Sequence, residues 1–390
     1  MKIAFITNIL TPYRMSFFEE MYNQIKTVNG EIKVFVMTES LPIMPWAYND
    51  LKKSYTTLMK GIKFFIKGND FLINATVITD LLKYQADIII VAGSWTYPTF
   101  LMVAFSRRIK ASSLRFVWTE SHNKTGINNY SKTSTLVQWV KRKALEQFDG
   151  FCVPGSYALE TLNDIISLED KRIILLPNLV DSDYYCKAND IRNQKETLRE
   201  SHNIGKDQYV FISPARFVDL KGIVPFLENV KHIRSINKIT FVFIGGGPQK
   251  DIIKDTAEKN RLDVRLYDYQ TQEQVREWLA LADAFLLPSL SDANPLSSIE
   301  AAWAGLPLCL SCYVGNGPEL VEEGRNGIIF DTLNEKSVCN KISFITNQSK
   351  EWHKNAGILS NSKARCNFEL KKQTEEFIRD LENIMVKNKI

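Results

Sequence analysis

Two carboxylates, Asp292 and Glu300, stand eight positions apart in the stretch SDANPLSSIEAAWAGLPL, residues 291–308. Between them Asn294 and Pro295 mark a helix start, with Asn294 as the expected N-cap and Pro295 at the first helical position. Gly305 and Pro307 stop the helix. Its first backbone N–H groups and positive dipole end make an anion site near Pro295 and Leu296. Glu300 lies about a turn and a half in, and helical side chains lean back toward the N-terminus. Asp292 approaches the same mouth from the preceding loop. Carboxylates compete poorly for phosphate but accept sugar hydroxyls well. On the plainer reading Asp292 only caps the helix and Glu300 lies on a solvated face.

Two other turns have chemistry to add. After YVFISPA come Arg216 and, five residues on, Lys221-Gly222. A planar guanidinium fork and a point charge converging in one strand-to-helix turn suit a diphosphate. In FVFIGGGPQKD, Gly245, Gly246 and Gly247 run into Pro248, which suits a first helical position. Lys250 stands where a dinucleotide fingerprint has its third spaced glycine, and no Gly-Lys-Ser/Thr ending makes a Walker A loop. The glycines serve a tight turn or a ligand contact. Together the three turns suit a ligand with a negative middle and hydroxyl-bearing ends, as in a nucleotide diphosphate sugar.

The elements that must position these turns are legible as apolar runs. KIAFIT, KVFVMT, ADIIIVAG, RFVWTE, GFCVPG and IILLPN read as buried parallel strands in the first half. YVFISPA, ITFVFIG, DVRLYD, AFLLPS, LPLCLS and GIIF repeat the rhythm in the second. Continuous apolar strands alternating with helices predict doubly wound α/β sheets covered on both faces. The pattern lapses into a polar stretch between Val180 and Tyr209. This divides the chain into two Rossmann-like domains, 1–182 and 206–368. A strongly amphipathic helix at about 370–390, with Phe377, Ile378, Leu381, Ile384 and Met385 on one face, is expected to pack back on the first domain. Ligands of such sheets sit at the carboxyl ends of the strands.

At 390 residues the chain is long for one core, and its 45% hydrophobic and 24% charged composition is that of a globular protein. No apolar run approaches the roughly 18–20 residues of a membrane-spanning helix. MKIAFITNIL reads as a buried strand rather than a signal peptide, so the expected location is the cytoplasm. Cys309 and Cys312 form a C-x-x-C inside the apolar run LPLCLSC, with no second pair or histidine to complete a metal site; buried thiols are expected. The net charge of +5 is uneven: residues 50–145 hold fifteen Lys/Arg against five Asp/Glu. In KGIKFFIKG, RRIK and WVKRK cations alternate with apolar residues, which fits a solvated face or a surface leaning on an anionic membrane. No nucleic-acid-binding module accompanies the charge.

The second half resembles retaining glycosyltransferases of the GT-B fold, glycosyltransferase family four (group 1). That family carries two Glu separated by seven residues, E-G-F-x-x-x-x-x-E-A, and then G-x-P. Here the stretch is D-A-N-P-L-S-S-I-E-A, then AGLP, and SPARFVDLKG, FIGGGP, LADAFLLPS and GNGPELVEEGRNGIIF support it. The first half agrees more loosely, through TPYR at 11–14, VPGSYALETL at 153–162 and LLPNLVD at 175–181.

The resemblance implies two domains facing a central cleft. It assigns Arg216 and Lys221 to a donor diphosphate, and Gly246, Gly247 and the amides of Asn294, Pro295 and Leu296 to the donor. Glu300 would hold the ribose, Asp292 the transferred sugar, and Tyr269 lies where the nucleobase meets the backbone. Pro12, Tyr13, Arg14, Glu120 and His122 would face the sugar or acceptor. The implied reaction is retaining transfer from a nucleotide-diphosphate sugar, needing neither a cofactor nor a divalent metal. The implied acceptor is a glycan or lipid-linked glycan at the inner membrane face, as in bacterial surface polysaccharide assembly. Asp292 in place of Glu, and Ala293-Asn294 in place of Gly-Phe, depart from the family pattern. The alternatives are a nucleotide-sugar-binding protein without catalysis, or another enzyme of the same fold such as an epimerase.

Overall fold

The computed structural model describes residues 1–41, 47–66, 69–127 and 134–388. Two parallel sheets form the frame. The first has seven strands in the order Thr56–Leu58, Glu31–Val36, Lys2–Thr7, Ile88–Ala92, Leu114–Trp118, Gly150–Val153, Arg172–Leu175. The second has six: Asp263–Tyr267, Ile239–Ile244, Tyr209–Pro214, Ala284–Leu287, Leu308–Ser311, Gly327–Phe330. All twelve strands read from the sequence are present. Apart from the edge strands Arg172–Leu175 and Asp263–Tyr267, their interiors are buried on both faces, which is why they carry no polar alternation. In each sheet the order reverses beside the domain's first strand, between Lys2–Thr7 and Ile88–Ala92 and between Tyr209–Pro214 and Ala284–Leu287. A crevice opens at the carboxyl end of such a reversal.

Three features differ from the sequence reading. Thr56–Leu58 adds an edge strand, and Ile62–Ile66 pairs antiparallel with Asn69–Ile73 in a separate hairpin. The polar stretch after Val180 is helical, at Ser182–Cys186, Ala188–Ile191 and Lys195–Ser201. Its polar residues are spent on the second domain: Arg192 donates to the Ala304 carbonyl at 2.6 Å, and Lys195 and Arg199 share Asp283 at 2.5 and 2.6 Å.

Helix Leu370–Asn388 returns to the first domain. Phe377 packs on Phe5 and Phe17, with ring centroids 6.3 and 5.8 Å away. Of the basic stretches, IKFFI forms one arm of the hairpin, RRIK lies in helix Arg107–Ser112 and WVKRK in helix Thr135–Leu145; Lys67 lies outside the described residues.

Candidate active site

The turns singled out in the second half meet at that domain's strand reversal. Arg216 follows strand Tyr209–Pro214 and is exposed, with no ion-pair partner among the described residues. Lys221 ends a short 3₁₀ turn, Asp219–Lys221, which Gly222 closes at φ 63°. A Cβ on Gly222 would sit 2.2 Å from the Pro288 carbonyl, so the Lys221 turn can approach the loop after Ala284–Leu287 only with glycine there. Across that approach the Lys221 ammonium pairs with the Asp292 carboxylate, both side chains about 15% exposed. The sequence reading sends these two charges to different parts of a ligand, whereas in the structure each meets the other. Opposite charges brought together in a half-buried cleft neutralise one another.

Asn294 is not the N-cap. Helix Leu296–Trp303 starts one residue later than expected, after Pro295 in extended conformation (φ −66°, ψ 130°). The Asn294 side chain instead accepts a hydrogen bond from Asn316 at 3.0 Å, and Asn316 also donates to the Pro295 carbonyl at 3.0 Å. With a neighbouring asparagine holding the loop, no side-chain cap is made. The buried Asn294 Nδ2 has no acceptor among the described residues. Pro248 likewise does not begin a helix; helix Lys250–Lys259 starts two residues later. Gly245 and Gly247 (both φ 152°) lie against the Arg216 turn, where added Cβ atoms would meet the Ala215 and Phe217 carbonyls at 2.1 and 2.3 Å. Close packing of two turns therefore accounts for these two glycines. Gly246 faces Tyr269, which is 71% exposed at the cleft edge and donates to the Gly246 carbonyl at 3.4 Å.

Glu300 lies one turn into helix Leu296–Trp303. Its Oε1 accepts a 2.8 Å hydrogen bond from the Tyr185 hydroxyl, delivered by helix Ser182–Cys186 of the linker. Burial pushes the Glu300 carboxyl up to about 7, and the Tyr185 bond opposes the shift.

The first domain closes over this surface through the loop after strand Leu114–Trp118. His122 bonds the Asp292 carbonyl at 2.9 Å through Nε2, and the Lys124 amide donates to its Nδ1 at 3.1 Å. The amide therefore fixes the neutral ring as the Nε2–H tautomer, with both nitrogens engaged. Gly126 N donates to the Leu290 carbonyl at 2.8 Å. Deeper in, Arg14 bonds Thr7 at 2.8 Å and Glu120 at 3.3 Å and lies over the Trp118 ring, 5.0 Å from its centroid. Burial works against its charge, but Tyr13 and Glu120 outweigh it and hold the guanidinium protonated. Pro12 and Tyr13 open helix Pro12–Ile25 beside it.

Asn178 links the two sides, donating to Glu120 at 3.3 Å and to the Asn294 carbonyl at 3.1 Å. Asn178, Asn316 and Tyr185 were not singled out as site residues. The first two fall in PN and GNGP, where a buried amide has no local signal, and Tyr185 reads as an ordinary aromatic. A cavity of about 380 Å³ in the first domain is lined by Arg14, Trp118, Glu120 and Lys141. A larger one, about 960 Å³, lies at the opposite, amino ends of the second sheet's strands, between the linker and helix Lys350–Phe368. Neither includes Arg216, Lys221, Asp292 or Glu300. Among the described residues no group of three His, Cys, Asp or Glu is placed to hold a metal ion. Cys309 is buried in strand Leu308–Ser311, and burial pushes its thiol pKa up.

Two Rossmann-like parallel-sheet domains with a facing crevice define the GT-B fold. HepE from Anabaena, solved in complex with UDP, superposes with a TM-score of 0.75 over 98% of this chain and 100% of its own, at 14% identity. Residues 194–357 match the family model for glycosyl transferases group 1. It is 26% identical over 213 residues to the putative glycosyltransferase EpsF of Bacillus subtilis, covering 54% of each chain. Over 231 residues it is 27% identical to the UDP-Gal:alpha-D-GlcNAc-diphosphoundecaprenol alpha-1,3-galactosyltransferase of Escherichia coli, covering 56% of this chain and 59% of that one. The chain thus spans a little over half the length of these curated relatives.

Proposed function

We propose that this protein transfers a sugar, with retention at the anomeric carbon, from a nucleotide-diphosphate sugar to a glycan or lipid-linked glycan acceptor. The observation carrying this reading is the convergence of the Lys221–Asp292 pair, the Leu296 helix start and the enclosed Glu300 at the strand reversal facing the first domain. Charge accumulates on the leaving diphosphate as the glycosidic bond breaks. The exposed Arg216, the helix-end amides and, once released from Asp292, Lys221 meet that charge, which favours the transition state over the ground state. A diphosphate draws the Lys221 ammonium from Asp292, freeing that carboxylate to accept sugar hydroxyls. The unspent Asn294 Nδ2 supplies a further donor. Glu300 holds the ribose and Tyr269 flanks the base. The diphosphate's charge is answered by the protein itself, so the reaction needs neither a resident divalent ion nor a cofactor. UDP bound in HepE supports a nucleotide donor, and the lipid-diphosphate acceptor in the Escherichia coli relative's name supports a lipid-linked one.

Thermal shift of the protein with each common nucleotide sugar tests the donor. Stabilisation by one donor family, followed by release of the free nucleoside diphosphate when acceptor extract is added, is expected. Stabilisation with the label retained unchanged would make the protein a binder without catalysis, and no response to any donor would reject the nucleotide site.

Exposed Leu136 and Trp139 beside Arg142 and Lys143 on helix Thr135–Leu145, and exposed Phe65 on the hairpin, support contact with an anionic membrane. Flotation with anionic liposomes at physiological salt should bring the protein to the lipid fraction; its absence there removes the membrane half of the reading.

A further inference from the structure

The interdomain linker grips the donor-side helix in its middle and at its end. Tyr185 reaches Glu300 just past the helix midpoint with a 2.8 Å hydrogen bond, and Arg192 reaches the Ala304 carbonyl just past its end at 2.6 Å. Tyr185 is 5% exposed and packed in the core, so its hydroxyl has a fixed place. That bond occupies Oε1 of Glu300. Oε2 has no protein donor among the described residues, and the residue is partly buried. A carboxylate with one oxygen pinned and the other without a protein donor presents a single, oriented acceptor.

We propose that Tyr185 is a positioning residue for donor recognition. By pinning Oε1 it aims Oε2 at the ligand's hydroxyls, and it makes the linker that joins the two domains a mechanical partner of the donor pocket. The inference rests on the reading of Glu300 as the ribose acceptor. A nucleotide pulling on Glu300 pulls on helix Ser182–Cys186, the first element of the crossing between domains. Donor occupancy is in this way felt at the hinge without any contact between the ligand and the linker.

The surroundings leave Tyr185 alone in this role. On its own helix Asp183 is exposed, and the Tyr184 ring lies under Arg276, with the guanidinium 4.6 Å from its centroid. From helix Lys350–Phe368, Arg365 lies over the Trp303 ring, and Asn361 donates to the Trp303 carbonyl at 2.7 Å. Glu319, on the short helix Gly317–Leu320, is turned to Ser156 at 2.7 and 2.8 Å. From strand Leu308–Ser311 the only titratable group is the buried Cys309. Among the described residues no cation forms an ion pair with Glu300.

The test is Tyr185→Phe, which keeps the ring and removes the hydroxyl. Nucleoside diphosphate binding (UDP and GDP as probes) and donor KM and kcat are measured from pH 5.5 to 9. The variant should lose about tenfold in affinity, with donor KM rising about tenfold at neutral pH and kcat at saturating donor kept. The pH midpoint for binding should move upward, because the bond that favours the ionised carboxyl is gone. A role confined to packing would lower the melting temperature and leave the midpoint in place; an unmoved midpoint overturns the proposal. Glu300→Gln is the companion. If it leaves nucleotide binding unchanged, the ribose reading of Glu300 itself fails. If it weakens binding while Tyr185→Phe matches the parent, only the positioning role fails.

Discussion

Lys221 and Asp292 hold each other across the crevice, so removing either has two consequences. Lys221→Ala takes away a cation aimed at the leaving group and leaves a partly buried carboxylate unpaired in the same place. Transfer should fall by about 10²–10³-fold in kcat, the scale of a lost electrostatic contact to developing charge. The side chain is not part of a core, and the melting temperature should move little. Near-normal turnover in a steady-state assay would sink the diphosphate assignment.

Glu300 offers a second residue-scale prediction, with a sign set by burial. Its carboxyl rises from about 4.3 in an unfolded chain to about 7 in the fold. Between those values the folded chain keeps a proton that the unfolded chain has released. The stability linked to this group is full below about 4.3, falls as pH rises, and is gone above about 7. Glu300→Gln has no such loss. Denaturant unfolding at pH 5 and pH 8 should show the variant gaining on the parent by at most about 3 kcal/mol across that interval. Parallel pH profiles for the two proteins would contradict a buried, proton-holding Glu300.

At the scale of elements, the loop after Ala284–Leu287 is shaped by a neighbour that the sequence places more than twenty residues away. Gly315 has no room for a side chain: a Cβ there would lie 1.7 Å from the Ala293 carbonyl and 2.8 Å from His122 Cδ2. Gly315→Ala must push Asp292–Asn294 out of place or part the two domains. It should lower stability by about 1–3 kcal/mol and weaken donor binding in the same step. Unchanged melting together with unchanged nucleotide affinity would mean the loop yields freely.

This element also marks what the sequence could and could not show. Strands such as ITFVFI and AFLL declare themselves because burial on both faces leaves them uniformly apolar. The Arg216, Lys221, Asp292 and Glu300 turns follow from strand ends and residue types. The Asn294 cap was misplaced because local propensity favours asparagine there, while Asn316 makes a tertiary contact that no window contains. The hairpin around Phe64 and Phe71, whose rings stack at 5.4 Å, was missed because its aromatics alternate with lysines at a surface and read only as a charged stretch. The helical linker was hidden for a similar reason. Arg192, Lys195 and Arg199 look like solvated charges until the carbonyls and the Asp283 they serve come into view.

Across the whole molecule, the chain crosses between domains twice, at the linker after Val180 and again where helix Lys350–Phe368 gives way to Leu370–Asn388. The second crossing ties the last helix into the first domain's aromatic core. Phe377 is 1% exposed and meets both Phe5 of the first strand and Phe17 of the first helix. Truncating it leaves a cavity between elements that come from opposite ends of the sequence. Phe377→Ala should cost about 3–5 kcal/mol, concentrated in the first domain. The second domain has its own cluster around Phe211, Phe226 and Phe241 and should be spared. Limited proteolysis should therefore release an early, protected fragment beginning near residue 181 and keeping helix Ser182–Cys186, and nucleotide binding should survive in it longer than acceptor-dependent transfer. Cooperative loss of both domains at one temperature, with no such fragment, would show that the returning helix holds the two halves as a single folding unit.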